Sequence, residues 1–188
     1  MAEPLLEAVL GHLRLRRIVG LFGPGDRVLD VGCGFNVRAL RELAPRIAAG
    51  VGIDVKEPSV PLPANVRVYK HDFLDEWNLP AQSFTKILML ASLQYVDRRH
   101  AVDFLRKLTR LLEPRGRLIV TVPLPRAKVV LDTLAFRLKL LDESLVGDQK
   151  EYYDPVLLNA MATEAGLNPI AARTFQFGMN CLWMAERP

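Results

Sequence analysis

Apolar residues recur at helical spacing between Pro4 and Phe22, at Leu5, Leu6, Val9, Leu10, Leu13, Ile18 and Leu21. That period predicts a helix. Gly23-Pro24-Gly25-Asp26 ends it and turns the chain. From there the pattern changes to short apolar runs bounded by turns. Arg27–Val31 reads as a buried strand, broken by Gly32-Cys33-Gly34 and followed by a helix from about Val37 to Leu43. A second strand, Gly50–Ile53, ends at Asp54. Pro58, Pro61 and Pro63 then exclude a long helix. Val66–Tyr69 alternates apolar with polar, as a half-exposed edge strand does.

Thr85–Leu90 reads as a central strand, Asp97–Leu112 as an amphipathic helix ended by Pro114 and Gly116, and Arg117–Val122 as the next strand. Strands alternating with helices imply a parallel sheet. The tail differs. A helix over Pro155–Ala165 stops at Gly166, and two strands, Ile170–Phe177 and Met179–Ala185, are separated by Gly178 alone. That join predicts an antiparallel final pair. The expectation is one α/β domain over residues 1–188, with an N-terminal helix over 1–22 and a short lid-like insertion over 123–154.

Composition narrows the setting. The chain has 188 residues, half of them hydrophobic, which suits one domain with a real core. Cys33 and Cys181 form no metal-like pair, and a reduced, cytoplasmic protein is expected. No segment reads as a signal peptide or transmembrane span. The net charge of +4 is modest and no run of five like charges occurs, so nucleic acid is not a favoured partner. No metal site and no oligomer is specified by the pattern.

The candidate chemistry sits at strand ends. Val28-Leu29-Asp30-Val31-Gly32-Cys33-Gly34 carries a strand into glycines and then a helix, where backbone can approach a ligand closely. The start of that helix offers N–H groups to an anionic ligand group. Asp54 stands at the carboxyl end of the second strand, where ligands of open α/β sheets bind, and there it can accept from ribose hydroxyls. Asp72 follows the third strand and can accept from an adenine amine, with Phe73 beside the ring. A dinucleotide fold needs G-x-G-x-x-G, and Val37 occupies the third glycine position.

Together these segments resemble the class I S-adenosylmethionine-dependent methyltransferases of small-molecule type. The resemblance runs from Pro24–Gly34 through Gly52-Ile53-Asp54, His71-Asp72-Phe73 and Ser83–Leu90 to Leu111–Leu118. It implies a Rossmann-like sheet in the order 3-2-1-4-5-7-6, strand 7 antiparallel, with helices on both faces. It also implies S-adenosyl-L-methionine as cofactor. Asp30, Gly32 and Gly34 would line its methionine part, Asp54 its ribose, and Val55, Asp72 and Phe73 its adenine. Leu90 and Ala91 would contact it through the backbone, and Gln94 and Tyr95 would face the substrate. Asn36 replaces the third glycine of G-x-G-x-G. Asparagine tolerates left-handed backbone angles and can cap a helix, so the turn is expected to survive.

Bases are few. His12 on the N-terminal helix and Tyr153 beside the insertion are the weak catalytic candidates. No Asn/Asp-Pro-Pro-Tyr/Phe segment follows the fourth strand and no Pro-Cys pair occurs, which disfavours base-amino and pyrimidine methylation. Three readings stay open. The first is methyl transfer to O, N or C of a small or lipid-like acceptor. The second is a methyltransferase-like binding or regulatory module without turnover. The third is an RNA methyltransferase, whose RNA affinity would fall steeply with salt.

Overall fold

Seven strands form one sheet in the order β3-β2-β1-β4-β5-β7-β6, with β7 antiparallel to both neighbours. This is the arrangement the family resemblance implies. The computed structural model describes residues 5–73, 75–127 and 151–188. In chain order the elements are α1 (Leu5–Ile18), β1 (Arg27–Val31), α2 (Arg38–Leu43), β2 (Ala49–Asp54), β3 (Val66–Lys70), β4 (Phe84–Leu90), α3 (Arg98–Leu111), β5 (Leu112–Pro123), α4 (Pro155–Glu164), β6 (Asn168–Phe175) and β7 (Asn180–Glu186). Most of the lid-like insertion, residues 128–150, lies outside the described residues.

The central strands are apolar on both faces because both are covered. Leu29, Val31, Ile87, Met89, Leu118 and Val120 join a core with Leu105 and Leu108 of α3 and Leu158 and Met161 of α4. Val28, Leu88 and Ile119 point the other way, onto Leu15 and Ile18 of α1 and Leu40 and Leu43 of α2. The alternation puts Asp30 on the face of α1 and α2, against the run of its neighbours. β3 is the sheet edge, with Arg67, Tyr69 and Lys70 exposed, as its mixed pattern predicts.

Helix ends follow local chemistry. Asp97 Oδ1 accepts from Arg99 N at 2.9 Å and caps α3. Asp154 Oδ1 accepts from Leu157 N at 2.8 Å and caps α4, whose first residue is Pro155. Gly166 at φ +81 stops α4.

Two boundaries depart from the sequence pattern. β5 starts at Leu112, directly after α3, because Leu112 pairs with Phe84 while Arg117 pairs with Lys86. Residues 113–116 form the resulting irregularity, so Pro114 and Gly116 shape a strand rather than end a helix. The β6–β7 join is also longer than Gly178. Met179 N donates to Gln176 O at 3.1 Å, closing a turn in which Gln176, Phe177 and Gly178 all have positive φ.

Candidate active site

β1, β4 and β5 run parallel, so their carboxyl ends share one edge of the sheet. The glycine turn sits there. Gly32 has φ +81 and Gly34 φ +71, a region that favours glycine. A Cβ on Gly32 would lie 2.5 Å from Ser92 Cβ, so close packing as well as conformation demands glycine. Ser92 is buried and its hydroxyl donates to Val31 O at 2.6 Å, joining the ends of β1 and β4. The sequence reading missed Ser92. Its signal is a lone small polar residue between Ala91 and Leu93.

Asn36 does not take the left-handed role expected of it. That conformation belongs to Val37, at φ 49, which is the residue before α2 and gives no side-chain cap. Burial explains the choice: the Val37 side chain is fully buried in the core under α1, whereas Asn36 is half-buried. Packing of a β-branched residue outweighs its unfavourable backbone angle.

The turn's amides face inward. Gly32 N and Cys33 N donate to Ile53 O at 2.8 and 3.3 Å, and Val37 N donates to Gly34 O at 3.2 Å. Gly34 N donates to Asp54 Oδ2 at 2.8 Å. The amides of Gly32, Cys33, Gly34 and Val37 are therefore used by the protein. What the turn presents instead is negative charge. Asp30 is 2% exposed and its Oδ1 has no hydrogen-bond partner. Burial, and then the Asp54 charge, push its carboxyl up to about 7. Such an oxygen is costly without a donor or a cation.

Asp54 is half-buried and held from both sides, Oδ2 by Gly34 N and Oδ1 by Lys56 N at 2.9 Å. Each oxygen keeps a second lone pair for a ligand. Val55 beside it is 50% exposed. Phe73 reaches the turn, its Cζ lying 3.7 Å from where a Gly32 Cβ would be. Phe104 packs against that ring at 5.9 Å between centroids. Asp72 is exposed. Its carbonyl accepts from Trp77 Nε1 at 2.9 Å and its amide donates to Asp75 Oδ2 at 2.7 Å, which fixes the loop. Asp30, Gly32, Gly34, Asp54 and Phe73 thus share one neighbourhood. Asp72 follows the third strand in the same loop, next to Phe73.

At the end of β4, Leu90 is half-buried and Ala91 takes φ 56. Ala91 N donates to Thr121 O at 2.9 Å, and Ala91 O accepts from Gln94 Nε2 at 2.8 Å. Gln94 is 2% exposed, with Oε1 unpartnered, and Tyr95 is half-buried. Glu151 N donates to Gln94 O at 3.2 Å, so the chain that returns from the insertion closes on this turn.

The candidate bases fare differently. His12 is exposed on α1. Tyr153 is fully buried and its hydroxyl donates to Val96 O at 3.1 Å. Burial, then the Glu151 charge, raise its pKa, so the phenol is a structural anchor rather than a base. Cys33 is buried against Gly52, and burial with the Asp30 and Asp54 charges pushes its thiol far up, which leaves it unreactive. Among the described residues no cluster of metal-ligating side chains occurs.

Sheet order, glycine turn and paired strand-end carboxylates define a class I methyltransferase-like fold. The chain belongs to the methyltransferase domain family, which it matches over residues 6–172. S-adenosylmethionine is the cofactor of that class. A 27-O-demethylrifamycin SV methyltransferase of Amycolatopsis mediterranei (strain S699) is 33% identical over 185 residues, covering 89% of this chain. The match spans 61% of that relative's length. An S-adenosylmethionine-dependent methyltransferase from Mesorhizobium loti superposes with a TM-score of 0.69 at 17% identity, covering 92% of this chain and 95% of its own. The cyclase SpnF superposes with a TM-score of 0.70, also at 17% identity, covering 95% and 80%. Fold likeness at such identities specifies the scaffold, not the reaction.

Proposed function

We propose that this protein transfers a methyl group from S-adenosylmethionine to a hydroxyl of a small or lipid-like acceptor. The observation that carries the reading is the sign of the site. Asp30 and Asp54 put acceptor oxygens and negative charge at a turn in which the Gly32, Cys33 and Gly34 amides are already engaged. That suits a ligand bearing cationic groups and hydroxyls, and it disfavours a pyrophosphate. A relative named for an O-methyl transfer supports the choice of oxygen.

The residues fit the cofactor. Asp30 Oδ1 would take its ammonium, and Gly32 and Gly34 would let the methionine part lie against the backbone. Asp54 would hold the ribose hydroxyls. Val55 and Phe73 would flank the adenine, and Asp72 would accept from its amine. Leu90 and Ala91 would close the wall opposite. When bound, the cofactor supplies an electrophilic methyl on a sulfonium.

The chain's own task is then alignment and exclusion of water. Gln94 and Tyr95, held by Ala91 and by the chain returning at Glu151, would form the acceptor side. Because Tyr153 is committed to Val96, a hydroxyl acceptor would lose its proton late, to water or to His12 on α1.

Calorimetric titration with S-adenosylhomocysteine tests the cofactor part, with NAD as the contrasting ligand. Binding of the first and not the second is expected. Equal or absent binding of S-adenosylhomocysteine would turn the reading toward a module that keeps the fold without turnover. Titration of an RNA oligonucleotide at two salt concentrations tests the RNA reading, and salt-insensitive or absent binding is expected.

A further inference from the structure

Phe177 is the most exposed large apolar side chain described, at 100%. Single exposed apolar residues are ordinary on soluble proteins. Three features set this one apart. It stands in a run of positive φ angles, Gln176 at 51, Phe177 at 56 and Gly178 at 75. A bulky residue in that conformation is strained, and here no packing compensates it. Second, the turn lies at the functional end of the sheet. Asn180 pairs with Pro123 at the carboxyl end of β5, and Leu124 N donates to Met179 O at 2.8 Å.

Third, its surroundings are basic. The Arg17 guanidinium lies 5.1 Å over the ring of Phe175, which links α1 to the strand that leads into the turn. Phe175 and Leu182 share a core cluster with Leu15 and Ile18 of α1. Arg16, Arg17 and Arg173 are exposed on these two elements, and Val9 and Leu13 add exposed apolar surface on α1. No Asp or Glu occurs from residue 8 to 25 or from 165 to 185.

We propose that this face, Phe177 with Arg17 and Arg173, docks the protein on an anionic phospholipid surface. An aromatic ring held out at a turn enters the acyl–headgroup boundary, and arginines beside it meet lipid phosphates. Charge complementarity selects the bilayer as occupant. A second copy of the chain would bring the same positive charge to the contact. Docking this way turns the carboxyl edge of the sheet toward the lipid. That the acceptor is itself bilayer-borne rests on the methyl-transfer reading, whereas docking does not.

The test uses the full chain with vesicles of phosphatidylcholine and phosphatidylglycerol at 3:1, and with phosphatidylcholine alone. Co-sedimentation with the mixed vesicles is expected, weakening as salt rises. Phe177→Ser and the Arg17→Glu/Arg173→Glu double variant should each lower the bound fraction by about fivefold or more. Both change exposed side chains, and circular dichroism checks their folding. Phe177→Trp reads insertion directly, because Trp77 and Trp183 are buried and provide a constant background. Its emission should shift to the blue with mixed vesicles only. Failure of wild type to sediment, or an unshifted emission, overturns docking. So does a Phe177-dependent dimer in sedimentation velocity, or binding to poly(U), without vesicle binding. If vesicles bind but S-adenosylhomocysteine does not, docking stands and the methyl-transfer reading falls.

Discussion

Two buried aspartates bracket β1, four residues apart, and their surroundings are opposite. Asp26, at the amino end, is fully served. Its carboxylate accepts from Gly23 N at 2.7 Å and from Thr85 Oγ1 at 2.8 Å, and it pairs with Lys86 Nζ. Burial alone would raise its pKa, but Lys86, Gly23 and Thr85 hold it below the usual range. Asp30, at the carboxyl end, has an oxygen with no partner, and burial plus Asp54 raise it to about 7. The same residue type thus marks a finished structural joint at one end and an unsatisfied carboxyl at the other. In the methyl-transfer reading proposed above, the ligand completes Asp30, and an unsatisfied buried acid is then a stronger signal than burial or charge alone.

The largest expected effect separates the two ends. Asp26→Ala removes the acceptor of Gly23 N, Thr85 Oγ1 and the half-buried Lys86 Nζ together, at a cost of about 3–5 kcal/mol in chemical denaturation. Affinity of the folded protein for S-adenosylhomocysteine should stay the same. A variant that kept its stability and lost affinity would break the contrast.

Acidity sharpens it. Between about pH 4 and 7 the folded state keeps the Asp30 proton that the unfolded chain releases. Stability from this group is therefore full below the unfolded pKa and falls as pH rises toward 7, by roughly 4 kcal/mol at most. Asp26 acts in the other direction. Its contribution is present above its unfolded pKa and is lost as pH falls below about 4. Asp30→Asn should flatten the decline between pH 4 and 7 in urea titrations and leave the acid limb intact. An unchanged slope would mean that Asp30 is not the titrating group.

Binding should respond to the same proton with a smaller effect. A cationic ligand favours ionised Asp30, so affinity for S-adenosylhomocysteine should rise roughly tenfold from pH 6 to 8. Calorimetry in buffers of differing ionisation enthalpy should show proton release near neutrality, absent in Asp30→Asn. A flat profile would place the ligand's ammonium elsewhere.

Much of this was legible in the chain, and the rest has a physical reason for being hidden. Short apolar runs, one period-two segment and helical spacing located the strands and α-helices among the described residues, because each has apolar surface to bury. The glycine turn and Asp54 were legible because backbone approach and strand-end carboxylates need particular residue types. What was hidden depends on tertiary partners. Ser92 matters because Gly32 packs on it, which no local pattern encodes. Val37 rather than Asn36 takes the left-handed angle because its side chain has a core to fill. Leu112 begins a strand rather than ends a helix because Phe84 is there to pair with it. The engagement of the Gly32, Cys33 and Gly34 amides by Ile53 and Asp54 is likewise a property of the neighbouring strand.

The smallest effect compares backbone strain at the two ends. Arg115, at the amino end, has φ 63, and Ala91, at the carboxyl end, φ 56. Arg115 is exposed, and its amide donates to Arg187 O at 2.9 Å, a bond glycine keeps. Arg115→Gly relieves the left-handed penalty while adding freedom to the unfolded chain, so a net gain of about 0.5–1 kcal/mol is expected, without change in ligand affinity. Ala91→Gly should gain a similar amount. Ala91, however, anchors Gln94 through its carbonyl and meets Thr121 through its amide. A freer backbone there should loosen the wall of the cleft and weaken S-adenosylhomocysteine binding by roughly threefold. Equal stability gains with affinity untouched in both variants would make the carboxyl-end angle ordinary turn strain, and the division between a structural and a functional end would then rest on the aspartates alone.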